Sequence, residues 1–123
     1  MLIRKQEAPR FNLEGVEVFG YASPSRGSAD ISLWRLVLAP GAQSPVHALT
    51  AGEIFVCLSG EAEFDLEGER LVLRQGDALS VPPGAPFVVR NAGAAPFEAL
   101  ACMPAHGQAV VAGGAPFTPP WAA

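Results

Sequence analysis

The sequence predicts an all-β protein built from short antiparallel strands. The 13 Gly and 12 Pro residues recur at short intervals between apolar runs, which is typical of turns that join strands. Within the runs, apolar and polar side chains alternate with a period of two, and no window shows a helical stripe. Many short strands at this spacing are typical of a β-sandwich or a small barrel.

The first strands follow from this alternation. Residues 31–41 predict a strand that ends in a Pro-Gly turn. Residues 53–60 form a nearly unbroken apolar run, which predicts a strand buried on both faces. Residues 62–77 predict a hairpin with its tip at Glu67 and Gly68. Three further strands are predicted at 78–84, 85–91 and 96–104.

The two ends of the chain look less regular than its middle. We therefore expect one domain over residues 1–123, with a barrel core at about 30–104, an irregular N-terminal arm and a Pro-rich C-terminal tail. The prolines of segment 113–121 lack ladder donors, so this segment cannot be a central strand. Its Phe117 and Trp121 are expected to pack on the barrel or on a partner subunit.

Composition excludes several functional classes. The chain is 50% hydrophobic and 16% charged, with a formal net charge of −4. Its eight basic residues are scattered, so neither nucleic acid nor an anionic membrane is an expected partner. The N-terminal segment lacks the apolar run of a signal peptide, and no segment approaches 18 unbroken apolar residues. These features predict a cytoplasmic protein without a membrane span.

Eight residues fall at the spacings of two known motifs. The first motif pairs a His and a Glu six positions apart between two glycines, and the second spaces Gly, Pro, Gly and Asn. The matching residues are Gly41, His47, Glu53 and Gly60, then Gly76, Pro82, Gly84 and Asn91. On these residues the chain resembles the cupin family, which implies a double-stranded β-helix, or jelly-roll barrel.

Two motif positions depart from the family pattern. The resemblance implies that three His and one Glu hold a divalent ion, but Leu49 and Phe87 stand where two of the His would be. Only His47 and Glu53 remain, whereas catalytic zinc takes three protein ligands and non-haem iron takes two His and a carboxylate. We therefore expect no cofactor. A divalent ion held weakly by His47 and Glu53 is the alternative.

Other donors do not complete this site. Cys57 lies four residues beyond Glu53 on the same strand face, about 13 Å away, so one ion cannot bind both. His106 is predicted in a surface loop after the last strand, and no spacing argument supports Gln43 or Cys102. Both cysteines are expected to be buried, reduced thiols.

His47 and Glu53 then have two interpretations. They are either a hydrogen-bonded pair inside the barrel without further function, or a catalytic acid–base dyad. In the second case desolvation would raise the pKa of Glu53 while His47 would lower it, towards neutrality. The resemblance supports the dyad by analogy only, since some cupins without metal, such as sugar epimerases, carry out acid–base chemistry.

A third interpretation is a binding pocket at the barrel mouth. Arg35 and Arg90 are the only strand cations near the motifs. An anionic ligand is expected only if one of them points inward, and their alternation with apolar neighbours favours an outward orientation. The predicted ligand-binding residues are His47, Leu49, Glu53, Phe55, Phe64, Phe87 and Val89.

These observations favour a small-molecule-binding barrel without a complete metal site. The alternatives are an isomerase-like or epimerase-like acid–base enzyme using His47 and Glu53, and a metal-dependent oxygenase or isomerase with a degenerate site. A homodimer is also predicted. Small cupins commonly pair through their sheets, and Trp34 and Trp121 are large apolar side chains that a monomer would leave exposed.

Overall fold

The chain forms a two-sheet jelly roll, as the sequence predicts. The computed structural model describes all 123 residues. Its strands are β1 (Arg10–Leu13), β2 (Val16–Ala22), β3 (Ile31–Leu38), β4 (His47–Leu49), β5 (Glu53–Ser59), β6 (Glu61–Leu66), β7 (Glu69–Arg74), β8 (Ala78–Val81), β9 (Phe87–Arg90), β10 (Phe97–Pro104) and β11 (Ala109–Val111). They form a six-stranded sheet in the order β1-β2-β3-β10-β5-β8 and a five-stranded sheet in the order β11-β4-β9-β6-β7, with every pair antiparallel.

The core lies between the inner faces of the two sheets. In β6, Ala62, Phe64 and Leu66 are buried and alternate with acidic residues on the outer face, because successive side chains of a strand point to opposite sides. The predicted hairpin is confirmed, since β6 pairs with β7 across Glu67 and Gly68. Both tip residues have positive φ, 52° and 79°, as a tight two-residue hairpin turn requires.

The second motif ends in a structural asparagine. Asn91 is 1% exposed. Its amide donates to the carbonyl oxygens of Leu38 at 3.0 Å and Ala95 at 2.8 Å, and its Oδ1 accepts from the backbone N–H of Gly93 at 3.0 Å. The side chain thereby joins the end of β3 to the loop between β9 and β10.

Asn91→Ala is expected to destabilise the fold by about 2–4 kcal/mol, because it leaves buried backbone groups without partners. Asn12→Ala, which truncates an exposed asparagine of β1, should change stability by no more than about 0.5 kcal/mol. Urea unfolding of the three proteins measures both values. Equal midpoints for Asn91→Ala and the wild type would contradict the assigned role.

The N-terminal arm is regular, which corrects the prediction. β1 and β2 form a hairpin that adds two strands to the larger sheet beside β3. The signal was present in the sequence: Val16 and Val18 alternate with polar or outward residues, and Glu14-Gly15 supplies the turn, with Gly15 at a φ of 72°. The strands therefore extend well beyond the expected core of 30–104.

Strand β5 is buried on one face only, which corrects a second prediction. Glu53, Phe55 and Cys57 point inward, whereas Ile54 and Val56 are 46% and 36% exposed on the outer face of the larger sheet. An apolar run without alternation cannot distinguish a strand covered on both faces from one whose outer face is apolar and uncovered.

The C-terminal tail folds back across the barrel. Phe117 pairs with Ala109 through two backbone hydrogen bonds, and the Trp121 ring packs edge-on against Phe11 with 6.2 Å between centroids. Ser32 and Arg26 donate to backbone carbonyls of Ala122 and Trp121. The predicted packing on the barrel is thus confirmed for Trp121, whereas the Phe117 side chain is 46% exposed. Strand β11 is an element that the sequence did not indicate.

Three single-turn 3-10 helices complete the structure, at Lys5–Glu7, Pro24–Arg26 and Pro120–Ala122. None of them has the length or the apolar character that crossing a bilayer requires.

Candidate functional site

A cavity of about 290 Å³ opens between the two sheets. Fifteen of its 22 lining residues are hydrophobic, so its walls suit an apolar ligand with few polar contacts. The lining residues are Leu13, Glu14, Val16, Val18, Trp34, Leu36, Leu38, Gln43, Ser44, Pro45, His47, Leu49, Glu53, Phe55, Phe87, Val89, Met103, Ala109, Val111, Phe117, Pro119 and Trp121.

Most of the residues that the sequence singled out meet in this cavity. Phe64 is the exception: it is fully buried and does not line the cavity. Its ring packs behind Phe55, with centroids 5.1 Å apart, and behind Phe87, at 6.4 Å. The side chains that do line it are His47, Leu49, Glu53, Phe55, Phe87 and Val89.

The sequence did not indicate the parts of the cavity wall that come from the two ends of the chain. The N-terminal hairpin contributes Val16 and Val18, and the tail contributes Phe117 and Trp121. Trp34 was expected on an exposed dimer surface, but it is 4% exposed and lines the cavity instead. The position of Trp34 in the alternation of β3, between outward-facing Leu33 and Arg35, was the signal that could have placed it.

His47 begins β4 at one wall of the cavity. Its Nδ1 lies 2.8 Å from the carbonyl oxygen of Pro45, which fixes the ring orientation. The ring packs against Phe87, its cross-strand partner on β9, with 4.2 Å between centroids. Burial lowers the pKa of His47 below its ordinary value of 6.5, and the hydrogen bond to Pro45 opposes this only in part. The imidazole is therefore neutral at pH 7.

Glu53 is the first residue of β5 and is only 5% exposed. Its carboxyl group takes part in no hydrogen bond and no ion pair with the protein, and desolvation raises its pKa to about 8. At pH 7 the carboxylic acid form consequently predominates, and this form can donate a hydrogen bond.

His47 and Glu53 do not pair with each other. Both line the cavity, but no hydrogen bond or ion pair joins them. The interpretation of a hydrogen-bonded pair inside the barrel is therefore wrong, as is the expected lowering of the Glu53 pKa by His47. The Nδ1 of His47 bonds instead to the carbonyl oxygen of Pro45.

The two arginines near the motifs point away from the cavity. Arg35 donates to Glu98 at 2.6 Å and stacks over the ring of Phe19 on the outer face of the larger sheet. Arg90 donates to Asp65 at 2.6 Å on the outer face of the smaller sheet. No Lys or Arg lines the cavity, so it offers no cation to an anionic ligand.

The cavity residues do not fit a divalent metal ion. No group of three or more His, Cys, Asp or Glu side chains comes together anywhere in the structure. Leu49 and Phe87 are 5% and 1% exposed and fill the wall beside His47 with carbon atoms. Two donors fall short of the three or four protein ligands that zinc and iron sites require.

The remaining candidate donors lie apart from this pair. Cys57 is buried and free, and its Sγ contacts the carbonyl of Gly60. Cys102 is also free, but it is half-buried and not buried as expected. His106 lies exposed in a turn after β10, as predicted. Gln43 lines the cavity, but as an amide it adds a hydrogen-bonding group rather than an anionic ligand.

Fold and site together define a two-sheet jelly-roll protein with an apolar cavity between its sheets. The family model described as "Cupin domain" matches residues 34–103. The chain belongs to the cupin family.

Relatives of known structure share this fold. The polyketide cyclase RemF from Streptomyces resistomycificus superposes with a TM-score of 0.81 at 13% identity, over 94% of this chain and 87% of that one. A sugar phosphate isomerase from Silicibacter pomeroyi gives 0.77 at 15% identity, over 93% and 83%. A predicted oxalate decarboxylase from Thermotoga maritima gives 0.72 at 25% identity, over 85% and 99%.

A relative by sequence is an uncharacterized protein of Methanocaldococcus jannaschii, 29% identical over 72 residues. The match covers 58% of this chain and 58% of that relative. The chain thus spans just over half of the length of this relative.

Proposed function

We propose that this protein binds a small, predominantly apolar molecule in the cavity between its sheets, without a tightly held metal ion. The observation that supports this most directly is the cavity itself, which is lined mainly by aromatic and aliphatic side chains and contains few polar groups. Hydrophobic burial supplies the affinity, and His47, Glu53 and Gln43 orient the ligand.

The absence of a metal is part of the proposal and rests on the donor set. Leu49 and Phe87 stand at two motif positions where the resemblance implies imidazoles, which leaves only His47 and Glu53 of the four motif ligands. Elemental analysis of protein purified without chelator or affinity tag tests it. Stoichiometric iron, manganese, nickel or zinc would overturn this part of the proposal.

Ligand binding can be followed with the protein's own fluorescence, because both of its tryptophans, Trp34 and Trp121, line the cavity. Titration with the bicyclic hydrocarbon tetralin is expected to change the emission of the wild type. Ala109→Phe, which fills the cavity from β11, should weaken binding at least about tenfold. Val110→Phe, which adds the same ring on the outer face of β11, should not.

Circular dichroism establishes that both variants are folded. Undiminished binding by Ala109→Phe, or no binding by the wild type, would contradict the proposed function.

A second candidate function is proton transfer to or from a bound substrate. It is favoured by the buried, unpaired carboxyl of Glu53, whose pKa near 8 suits an acid or base at neutral pH. The polyketide cyclase and the sugar phosphate isomerase are enzymes with the same fold, which makes the candidate reasonable but does not define a substrate. Turnover of any bound compound that disappears in Glu53→Gln would support it.

The outer face of the larger sheet is the proposed surface for a homodimer. Ile54, Val56 and Leu58 are between 36% and 46% exposed there, and the one charged cluster beside them, Arg35 with Glu98, is internally neutralised. An apolar patch whose neighbouring charges are paired with each other can be covered by a second copy related by a twofold axis.

Val56→Glu is expected to convert a dimer into a monomer, because two buried carboxylates would face each other across the twofold axis. Val72→Glu introduces the same charge at a similarly exposed position on the other sheet and should leave the dimer intact. Light scattering at micromolar concentration measures the molar mass. A wild-type monomer would rule out the predicted homodimer.

A further inference from the structure

One polar group of the cavity lacks any partner in the protein. Glu53 is 5% exposed among apolar walls that include Phe55 and Phe87, and its carboxyl, which faces the cavity, makes neither a hydrogen bond nor an ion pair with the protein. A buried polar group without a partner costs free energy. A ligand that supplied the partner would recover this free energy, so the group is expected to select the ligand.

The charges around the cavity exclude an anionic ligand. Besides Glu53, the only ionisable side chains that line it are Glu14, at the turn between β1 and β2, and His47 on β4. No Lys or Arg is present, and burial disfavours the charged form of His47. A carboxylate or phosphate would therefore be buried among apolar walls without a counter-charge.

A cationic ligand is disfavoured because its charge and that of an ionised Glu53 would both have to be buried among apolar walls. Desolvation favours the uncharged acid of Glu53 at pH 7, so the deep cavity holds a hydrogen-bond donor rather than an anion. The complement of an uncharged donor is a neutral acceptor, such as a carbonyl oxygen.

The size and the walls of the cavity define the rest of the ligand. Its volume of about 290 Å³ is about twice that of the ~150 Å³ engineered cavity known to bind benzene. Two fused rings therefore fit. The rings of Trp34, Phe55, Phe87 and Trp121 line the space, and aromatic walls favour stacked or edge-to-face contacts with a ring.

We infer that the cavity binds an uncharged compound of about two fused rings, whose carbonyl oxygen accepts a hydrogen bond from the carboxyl group of Glu53. This inference rests on the proposed function and narrows it to a ligand class. It distinguishes the protein from relatives of the same fold whose described substrates, sugar phosphates and oxalate, are anions.

Three probes of matched size separate the contributions. 1-Tetralone has two fused rings and a carbonyl, tetralin lacks the carbonyl, and 1-naphthoate carries a negative charge. Tryptophan fluorescence is expected to show 1-tetralone binding about tenfold more tightly than tetralin, the worth of one buried hydrogen bond. 1-Naphthoate should bind at least about tenfold more weakly than 1-tetralone.

Variants at Glu53 assign the preference to its carboxyl group. Glu53→Gln keeps an N–H donor and is expected to retain most of the preference for 1-tetralone over tetralin. Glu53→Met is similar in size but has no donor, so the ratio of the two affinities should fall to about one. Because the ratio is measured within each variant, a general change in stability does not mimic the result.

The outcomes distinguish the inference from the proposed function. Equal binding of 1-tetralone and tetralin by the wild type, or an unchanged ratio in Glu53→Met, overturns the inference and leaves the apolar binding site intact. Tightest binding of 1-naphthoate overturns the uncharged ligand class. Failure of all three probes to bind overturns the proposed function as well.

Discussion

Glu53→Gln is expected to keep a free energy of unfolding that the wild type loses as pH rises from about 5 to about 8. The unfolded carboxyl has its ordinary pKa of 4.5, while desolvation raises the folded value to about 8. Between these values the unfolded state releases a proton that the folded state retains, so stability falls as pH rises. The slope is about 1.4 kcal/mol per pH unit, which amounts to about 4 kcal/mol over the window.

The difference in the free energy of unfolding between the wild type and Glu53→Gln isolates the contribution of Glu53 ionisation. His47 contributes with the opposite sign, because its lowered pKa reduces stability as pH falls below 6.5, but both proteins retain it. Hydrogen bonds from Arg90 and Arg70 lower the pKa of Asp65 to about 2. Asp65 therefore titrates below this pH window. Glu69→Gln, at an exposed carboxylate of β7, serves as the control and should follow the wild type.

Urea unfolding at half-unit intervals of pH measures the two curves. Glu53→Gln should become more stable than the wild type as pH rises, and the gain should level off above about pH 8. Parallel curves for Glu53→Gln and the wild type would show that Glu53 ionises normally. Such a result would also mean that Glu53 is ionised at pH 7 and cannot donate a hydrogen bond to a ligand.

Leu49→His combined with Phe87→His is expected to create a tight divalent metal site. Leu49 lies two residues after His47 on the same face of β4, Phe87 lies directly opposite His47 on β9, and all three line the cavity with Glu53. The double variant would place three imidazoles and one carboxyl around one space. We expect its affinity for Zn²⁺ to exceed that of the wild type at least about a thousandfold.

Competition with a chelator of known affinity measures the gain. Phe87 is a core residue, and its replacement costs about 3–5 kcal/mol of stability, so Zn²⁺ should also raise the unfolding midpoint of the double variant. Adding His47→Ala to the double variant is expected to reverse most of the gain. An affinity equal to that of the wild type would show that something other than Leu49 and Phe87 prevents metal binding.

The motifs predicted the fold and its central residues because they are local. Gly60 adopts a φ of 71°, and a Cβ there would collide with the carbonyl of Pro96, so a glycine at this position signals a tight turn directly. The alternation in β6 likewise predicts which side chains are buried. The motif spacing also singled out His47 and Glu53. These residues begin β4 and β5, and both side chains line the cavity.

The hydrogen-bond partners of His47 and Glu53 were decided by the tertiary structure alone. Whether the Nδ1 of His47 would bond to Glu53 or to Pro45 depends on the orientation of its ring in the folded chain. Side chains such as Val18 and Trp121, far apart in sequence, close the cavity only when the chain has folded. Spacing along a chain does not encode these long-range contacts.

By itself, the sequence determined the jelly-roll fold and the family, and it showed Leu49 and Phe87 at two positions of the motifs, because these features depend on residue types at short spacings. The tertiary structure decided that the space left behind is an apolar cavity without a cation and that the carboxyl of Glu53 has no partner within the protein. Burial and hydrogen bonding are properties of assembled surfaces, so only the folded chain defines them.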